Sequence, residues 1–238
     1  MLSDRQLKAW HGLGIGPAWT IRAAAVGASE AAAHDLSLAG HENDRLVRWS
    51  ALAAQVEACR ACALGSTRQH SVFGSGALSA QWLLVGEAPG AEEDREGEPF
   101  VGRAGELLDS ILRAVGIDRG RDVIITNVLK CRPPGNRNPE PQEVDRCESH
   151  LWAQIGLLEP RLVVVMGRFA AQSLLKTEAS IASLRGRVHQ LMVRDRALPA
   201  VVTYHPAYLL RNPADKAKAW EDWCLARSTM QAPHASST

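Results

Sequence analysis

The sequence predicts an α/β fold: a three-layer sandwich in which helices flank a central, four-stranded, mainly parallel sheet. Two observations lead to this fold class. Four short aliphatic runs lack polar alternation, which is typical of strands buried on both faces, and helical patterns separate these runs along the chain. The runs span residues 82–85, 123–126, 162–166 and 200–203.

Apolar residues at helical spacing mark the helices before and between these strands. A first helix leads directly into Cys59, as its apolar positions indicate: Leu46, Trp49, Leu52, Ala53 and Val56. Further helices are predicted over residues 104–115, 141–158 and 168–175. Since strands and helices alternate, the loops after the strands should meet at one edge of the sheet, where such folds bind ligands.

Composition indicates one core domain. The 238 residues are 46% apolar, enough for a sizeable core, which we assign to residues 46–228. Residues 1–45 match no chemical motif and are predicted to be an extension, and residues 229–238 a flexible polar tail. No apolar run approaches the roughly 18 residues of a membrane span. Asp4 lies in the first segment, which has no continuous apolar region, so we expect no secretory signal and a cytoplasmic location.

Four of the five cysteines form a pattern. Cys59 and Cys62 make a C-x-x-C pair, and Cys131 and Cys147 lie far downstream next to helix-like segments. An odd count does not suit structural disulfides, whereas four thiolates suit a metal site. Their spacing leaves tetrahedral zinc, an iron–sulfur cluster and unligated cysteines open. We expect Cys224, in a terminal helix, to be a buried small hydrophobe.

Three loops after strand ends carry candidate chemistry: GEAPG at residues 86–90, the segment from Asn127 and the segment from His205. The glycines of GEAPG permit close backbone approach and exposed amides, but the Gly-Lys-Ser/Thr ending of a phosphate-binding loop is absent. Each feature alone has an ordinary alternative. GEAPG can be a tight turn, His205 a structural histidine and Phe100 a core residue.

The charge pattern is informative only locally. A net charge of +1 does not by itself indicate a nucleic-acid partner. Several arginines, however, occur in loops that contain Gly or Pro, where guanidinium groups can meet phosphates. Solvated loop arginines are the equally expected alternative. The arginines concerned are Arg132, Arg137, Arg185, Arg187 and Arg211.

Four motifs follow one another in the chain: GEAPG (86–90), EPFVGRAG (98–105), TNVLKCRPPGNRNP (126–139) and HPAYLLRNP (205–213). Together with the interleaved cysteines, they make the chain similar to the family 4 uracil-DNA glycosylases over roughly residues 46–228. That family carries a [4Fe-4S] cluster and acts on uracil-containing DNA. The resemblance therefore implies such a cluster, bound by Cys59, Cys62, Cys131 and Cys147.

The resemblance also implies a role for each matching pocket residue. Asn127 pairs with the edge of a flipped-out uracil, Phe100 stacks on the base, and His205 stabilises the uracil anion that forms as the glycosidic bond breaks. Glu87 helps to exclude the thymine methyl group. Neighbouring contacts to uracil are expected from Gly86, Ala88 and Pro89. Glu87, Asn127 and His205 are thus the expected catalytic residues.

The implied activity is that of base excision repair: uracil is released from single- or double-stranded DNA and an abasic site remains. Expected contacts to DNA come from Arg132, Arg137, Arg185, Leu209, Leu210 and Arg211. The apolar tip within this set suits a wedge that fills the space of the flipped base. Ala88 stands where classical uracil-DNA glycosylases place a water-orienting aspartate. Glu87 or leaving-group electrostatics would have to replace it.

One alternative within the superfamily is a variant that traps uracil-DNA covalently through a histidine, and one of a different class is a non-catalytic metal-dependent DNA-binding protein with this fold. The trapping variant has GEQPG as its first motif and an added basic loop, whereas this chain has GEAPG and Cys131 at the relevant places. We expect a monomer. The segment of residues 1–45 is expected either to dock a replication or repair protein or to cap the core.

Overall fold

The structure is a computed structural model that describes residues 28–232, with side chains from residue 43 on. By its contacts the chain divides into two units, residues 1–43 and 44–238. Of the first unit the structure describes only the helical residues from 28 on, so the role predicted for residues 1–45 falls largely outside the described residues. All elements named below, apart from the start of the first helix, belong to the second unit.

The described strands form one sheet. They are β1 Ser75–Gly76, β2 Trp82–Gly86, β3 Val123–Asn127, β4 Leu162–Met166, β5 Val188–Val193 and β6 Arg196–Thr203. The order across the sheet is β1-β3-β2-β4-β6-β5, and the neighbours among β3, β2, β4 and β6 pair in parallel. The predicted fold class and its four parallel strands are confirmed.

The predicted strand number was too low, because two antiparallel strands close the edges of the sheet. Strand β1 has only two residues, too short to leave a periodic pattern. Strand β5 alternates between exposed and more buried positions, as an edge strand with one face in solvent does. Neither shows the continuous apolar run by which the central strands were found.

The helices in the described residues are α1 Ala28–Ala58, α2 Leu64–Thr67, α3 Ala91–Glu96, α4 Arg103–Ala114, α5 Pro141–Leu158, α6 Arg168–Leu175, α7 Ile181–Leu184, α8 Pro206–Arg211 and α9 Lys216–Gln231. The bounds predicted for α5 and α6 are confirmed. Pro141 at the first turn and a capping box between Glu140 and Glu143 explain why α5 starts where it does. None of the described helices is long and apolar enough to span a bilayer.

Side chains of the central strands alternate between two apolar layers. Leu83 and Val85 pack with residues of α5 and α6 on one face of the sheet. Trp82 and Leu84 pack with residues of α4 and α9 on the other face. Because both faces are covered, every residue of β2, β3 and β4 is buried, which accounts for their unbroken apolar runs.

Two predictions at the carboxyl end of the chain need correction or restriction. Cys224 is exposed rather than buried, because α9 turns its neighbours Trp223 and Ala226 to the core and one residue along a helix is a rotation of about 100°. Helix α9 ends at Gln231, so residues 229–231 of the segment predicted as a tail are helical. Residues 233–238 lie outside the described part.

Candidate active site

The carboxyl ends of the four parallel strands meet at one cleft of about 750 Å³. Glu87 follows β2, Asn127 ends β3, Gly167 follows β4, and His205 lies just beyond β6. All four line the cleft, together with Phe100 from the loop before α4. The fold thus brings together Glu87, Phe100, Asn127 and His205, which lie up to 118 positions apart in the sequence (205 − 87).

Asn127 presents an unpaired acceptor to this cleft. The residue is 2% exposed, and its Oδ1 has no hydrogen-bond partner within the described protein. A Cβ on Gly86 would collide with that oxygen and would lie 2.8 Å from the Phe100 ring, so the missing side chain of Gly86 makes room for both groups. Leaving a buried acceptor unpaired costs about 1–3 kcal/mol, which a ligand that supplies an N–H would recover.

The main chain of Phe100 is held in an unusual conformation. Its φ is +56°, in the left-handed region that bulky residues avoid. Arg119 fixes the segment, with Nη1 donating to the carbonyl of Phe100 (3.1 Å) and Nη2 to that of Pro99 (2.7 Å), while Asp109 pairs with the guanidinium at 2.7 Å. A Cβ on Gly105 would collide with the Phe100 carbonyl. The aromatic ring is therefore fixed by contacts to its backbone.

His205 is arranged as a neutral donor. Its Nδ1 accepts the N–H of Ala207 (3.2 Å) at the start of α8, which assigns the proton of the neutral ring to Nε2. Burial and, to a lesser extent, the positive charge of Arg211 lower the pKa of His205 to about 4. The ring stacks on Phe100 with a centroid distance of 5.3 Å. Near neutral pH the site therefore offers an uncharged Nε2–H.

Glu87 is anchored on the first turn of α6. Its Oε1 accepts the N–H of Phe169 (3.1 Å), and a Cβ on Gly167, which has a φ of +100°, would collide with the carboxylate. Burial raises the pKa of Glu87, while the Phe169 N–H and the charge of Arg168 oppose the rise. The segment after β4 thus holds Glu87. Sequence reasoning missed Gly167 and its segment, although Gly167 follows a strand end in the same way as Glu87 does.

The cysteines of the predicted quartet come together at a second, smaller cavity. Its lining includes Cys59, Cys62, Cys131 and Cys147. Arg68 Nη1 donates to Cys131 Sγ (2.9 Å), and the N–H of Lys130 donates to Cys147 Sγ (3.3 Å). Burial raises the pKa of the Cys147 thiol to about 11 and also raises that of Cys131. In the described part of the chain, however, no three His, Cys, Asp or Glu side chains converge closely enough for a single metal ion.

A buried lysine lies between the cleft and the cysteines. Lys130 is 1% exposed, and its Nζ donates to the carbonyl of Asn127 at 2.7 Å. Burial lowers the pKa of Lys130 to about 7, and Cys147 and Cys131 act in the opposite direction. Lys130 thus contacts both sites, and the candidate site residues predicted from sequence do not include it.

Comparison with known proteins identifies the family. A model of the uracil DNA glycosylase superfamily matches residues 73–224. The chain belongs to this superfamily. Among its relatives, the type-4 uracil-DNA glycosylase of Archaeoglobus fulgidus is 43% identical over 163 residues, which are 67% of this chain and 81% of the relative. That of Thermotoga maritima is 43% identical over 163 residues, 68% of this chain and 83% of the relative. The resemblance stated from the motifs is confirmed.

A more distant branch also matches. The type-5 uracil-DNA glycosylase of Pyrobaculum aerophilum is 34% identical over 152 residues, 58% of this chain and 66% of the relative. The difference in identity places this member of the superfamily with the type-4 proteins.

The structure places arginines at the rim of the cleft. Arg137 and Arg211 line the cleft, and both are exposed. Arg137 also pairs with Glu143 at 2.6 Å. Arg168, which sequence reasoning missed, lines the cleft as well and lies over the ring of Phe169 at 4.6 Å. The position of Arg168 just after β4 could have indicated from the sequence that it lies at the cleft.

The other residues predicted to contact DNA are not brought to the cleft. Arg132 donates from Nε to Asn136 Oδ1 (2.7 Å) within its own loop. Arg185 has a side chain only 15% exposed and pairs with Asp222 at 3.1 Å and with Glu221 at 3.0 Å. Leu209 is buried in the core and Leu210 is half-buried. None of the four lines the cleft. Their roles toward DNA remain predictions.

Proposed function

We propose that this protein removes uracil from DNA by hydrolysing the N-glycosidic bond, and so begins base excision repair. The observation that carries the proposal is the buried, unpaired Oδ1 of Asn127 on the floor of the cleft. Family membership and the names of the type-4 relatives agree with it. A base in duplex DNA is inaccessible, so the nucleotide must first rotate out of the stack, at a cost of a few kcal/mol.

Asn127 would read the base. Its Oδ1 accepts the N3–H of uracil, and its Nδ2 donates to O4. Cytosine has an unprotonated N3 and an amino group in place of O4, so neither hydrogen bond to the Asn127 amide could form. Leaving polar groups unpaired in a site without water is strongly unfavourable. Phe100 would stack on the base and return about 1–3 kcal/mol. We assign Glu87 to the wall of the base pocket, where its anchored carboxylate would clash with the methyl group of thymine.

Bond cleavage leaves a positively charged sugar and a uracil anion. The electron pair of the bond between C1′ and N1 moves onto the base, where it is shared with O2. The Nε2–H of His205 is placed by its Nδ1 bond to Ala207 and would donate to that oxygen, as a donor of an oxyanion hole does. Water then adds its oxygen to C1′, and its proton leaves to the base or to solvent. The products are free uracil and an abasic site.

The activation of this water is assigned to leaving-group electrostatics. Ala88 supplies no carboxylate, and Oε1 of Glu87 is already engaged by the Phe169 N–H. Such engagement suits a fixed wall better than a base that must approach and accept a proton from water. Stabilising the departing anion lowers the barrier without a dedicated base.

We further propose that Cys59, Cys62, Cys131 and Cys147 hold a [4Fe-4S] cluster. The residues present fit the group: four thiols line one cavity without converging on a point, and N–H groups of Arg68 and Lys130 face two of the sulfurs, as is usual around such clusters. When bound, the cluster supplies thiolate cross-links among segments that are distant in sequence. A colourless preparation that carries zinc after anaerobic purification would contradict this assignment, since an iron–sulfur protein is brown.

We also propose a monomer. Reduced thiolate ligands agree with a cytoplasmic location. Docking of a replication or repair protein by residues 1–45 stays a prediction. Deleting that segment and measuring activity on naked DNA distinguishes the two roles. Activity is kept if the segment only docks a partner, and it falls if the segment contributes to the core.

The test of the proposed function uses purified protein and labelled oligonucleotides that contain one uracil, thymine or cytosine. Alkali should cut only the uracil strand after incubation, and free uracil should appear in equal amount. Tight retention without strand scission would instead indicate a non-catalytic binder, and an adduct that survives denaturing detergent would indicate covalent trapping. Either result overturns the hydrolytic proposal.

A further inference from the structure

Lys130 is a buried charged residue that the chemistry above does not use. Its Nζ donates to Thr126 Oγ1 (2.6 Å), to the carbonyl of Asn127 (2.7 Å) and to Gln154 Oε1 (2.6 Å). These bonds use all three N–H groups of an ammonium. Burying a charge is costly unless it is compensated, and no carboxylate forms an ion pair with Lys130 among the described residues. A buried ammonium without an ion-pair partner is therefore expected to have a functional role.

The partners of the ammonium are themselves fixed. Thr126 Oγ1 donates to the carbonyl of Phe73 (2.8 Å), and Gln154 Nε2 donates to the same carbonyl (2.9 Å). Gln154 is fully buried, so its amide has no water to exchange with. A buried polar network in which every member is paired is rigid. Within it, Lys130 is the member whose Nζ donates to the Asn127 carbonyl.

The main chain of Lys130 connects this network to the cysteine cavity. Its N–H donates to Cys147 Sγ (3.3 Å), its carbonyl accepts the N–H of Val72 (2.8 Å), and Cys131 is the next residue. Four thiolates around a cluster carry negative charge, which would face the ammonium across this short segment. The cysteine site would thus compensate the buried charge that holds Asn127.

We propose that Lys130 is a positioning residue for base recognition: its ammonium locks the Asn127 carbonyl, and its main chain joins that lock to the cysteine site. The inference rests on the proposed function. The carboxamide of Asn127 has no partner of its own at Oδ1, so its place in the cleft depends on the main chain. A displacement of 1 Å at such a site can cost about 100-fold in rate.

A double-mutant cycle tests the proposal. Lys130→Met keeps the length of the side chain and removes its donors. In the wild-type background it should lower kcat/KM for uracil DNA by ~10–100-fold and weaken the Kd for a duplex with non-hydrolysable 2′-fluoro-deoxyuridine about tenfold. In the Asn127→Ala background it should change either quantity by less than about threefold, because a residue that acts through Asn127 has nothing left to position. An equal loss in both backgrounds would overturn the proposal.

Thr126→Val is the matched control. It breaks the same buried network and should lower the melting temperature by a few degrees, but it leaves the bond from Nζ to the Asn127 carbonyl. Its kcat/KM should stay within about threefold of wild type. A loss as large as that of Lys130→Met would show that activity falls with any break in the network and does not depend on the bond to the Asn127 carbonyl, and so would contradict a positioning role.

Measurements on the wild-type protein distinguish a failure of the proposed function from a failure of the proposed role of Lys130. If wild type binds the fluorinated duplex but releases no uracil, the Kd values alone still decide whether Lys130 acts through Asn127. Visible absorbance reports the cysteine site in each variant. If Lys130→Met purifies without colour, Lys130→Gln is compared instead, and an unchanged Kd in that variant overturns the proposal.

Discussion

Asn127 and Phe100 lie buried on the floor of the cleft, whereas Arg168 and Arg211 on its rim are exposed to solvent. The floor is fixed by contacts from behind: the Lys130 ammonium holds Asn127, and the Arg119 guanidinium holds the loop of Phe100. The described rim arginines Arg168 and Arg211 form no ion pair with a carboxylate.

This difference separates two tasks of recognition. A dry, rigid floor can discriminate between bases, because a wrong base leaves buried polar groups unpaired. An exposed, cationic rim attracts any phosphate backbone and is weakened by salt. Changes to the floor should therefore alter chemistry and specificity, and changes to the rim should alter affinity and its salt dependence.

The largest effect is expected for Asn127→Ala. Removing both hydrogen bonds to uracil should lower kcat/KM by at least ~10²–10³-fold. The melting temperature should stay the same or rise, because the substitution deletes a buried acceptor that the protein leaves unpaired. Single-turnover excision and thermal unfolding measure the two quantities. Activity within about tenfold of wild type would remove Asn127 from the site.

His205→Gln should lower the rate of excision by about 100-fold, the usual cost of one lost donor to a developing anion, because its amide lacks the ring whose Nδ1 is held by Ala207 and so does not place an N–H where Nε2 lies. The variant also tests the protonation state. The pKa of His205 is lowered to about 4 by burial, so between pH 4 and its ordinary value near 6.5 the unfolded chain binds more protons, and stability rises with pH.

The contribution of His205 to this slope is obtained by subtraction. Between pH 7 and pH 5, wild type should lose on the order of 1–2 kcal/mol of unfolding free energy more than His205→Gln does. Denaturant titrations of both proteins at the two pH values measure the difference. Parallel losses would mean that the ring is not held neutral by the fold.

Arg119→Ala is expected to have a smaller effect on the floor, about tenfold in kcat/KM, since Phe100 remains present but loses the donors that fix its carbonyl. Arg121→Ala is the matched control, because this exposed neighbour pairs only with Asp122 among the described residues. Single-turnover rates of the two variants measure whether the loss is specific to Arg119. Equal rates would show that excision does not depend on the contacts of Arg119 to the Phe100 segment.

The sequence predicted the floor better than the rim, for a physical reason. The loops that carry Asn127 and His205 were expected at one edge of the sheet because each comes after a buried strand, and the position of a strand end is set by local apolar pattern. The roles predicted for the two residues came from the resemblance to the family. The bounds of α5 were likewise predictable from its first turn and its spacing. Such features depend on residues close together in the chain.

The partners of a loop arginine, by contrast, are set by tertiary contacts. Arg185 was a reasonable candidate for DNA, but the fold brings Asp222 and Glu221, more than thirty positions away, against its guanidinium. Arg168 was missed because the strand before it ends without a recognised motif. Cys224 was misplaced because the faces of α9 carry little periodic signal. Only for Arg185 are the deciding residues distant in sequence.

The smallest expected effect is at the rim, and it distinguishes these two arginines. Arg168→Ala should weaken the Kd for uracil duplex a few-fold at low salt and reduce the slope of log Kd against log salt by about 0.9, the loss of one phosphate contact. Arg185→Ala should leave that slope unchanged while lowering stability, because its charge is already paired with Asp222. Fluorescence anisotropy at several salt concentrations measures both. If the slope falls for Arg185→Ala and not for Arg168→Ala, the internal ion pair opens on DNA and the rim is not where the fold places it. If it falls only for Arg168→Ala, affinity at the cleft comes from exposed cations, and base discrimination stays with the buried floor.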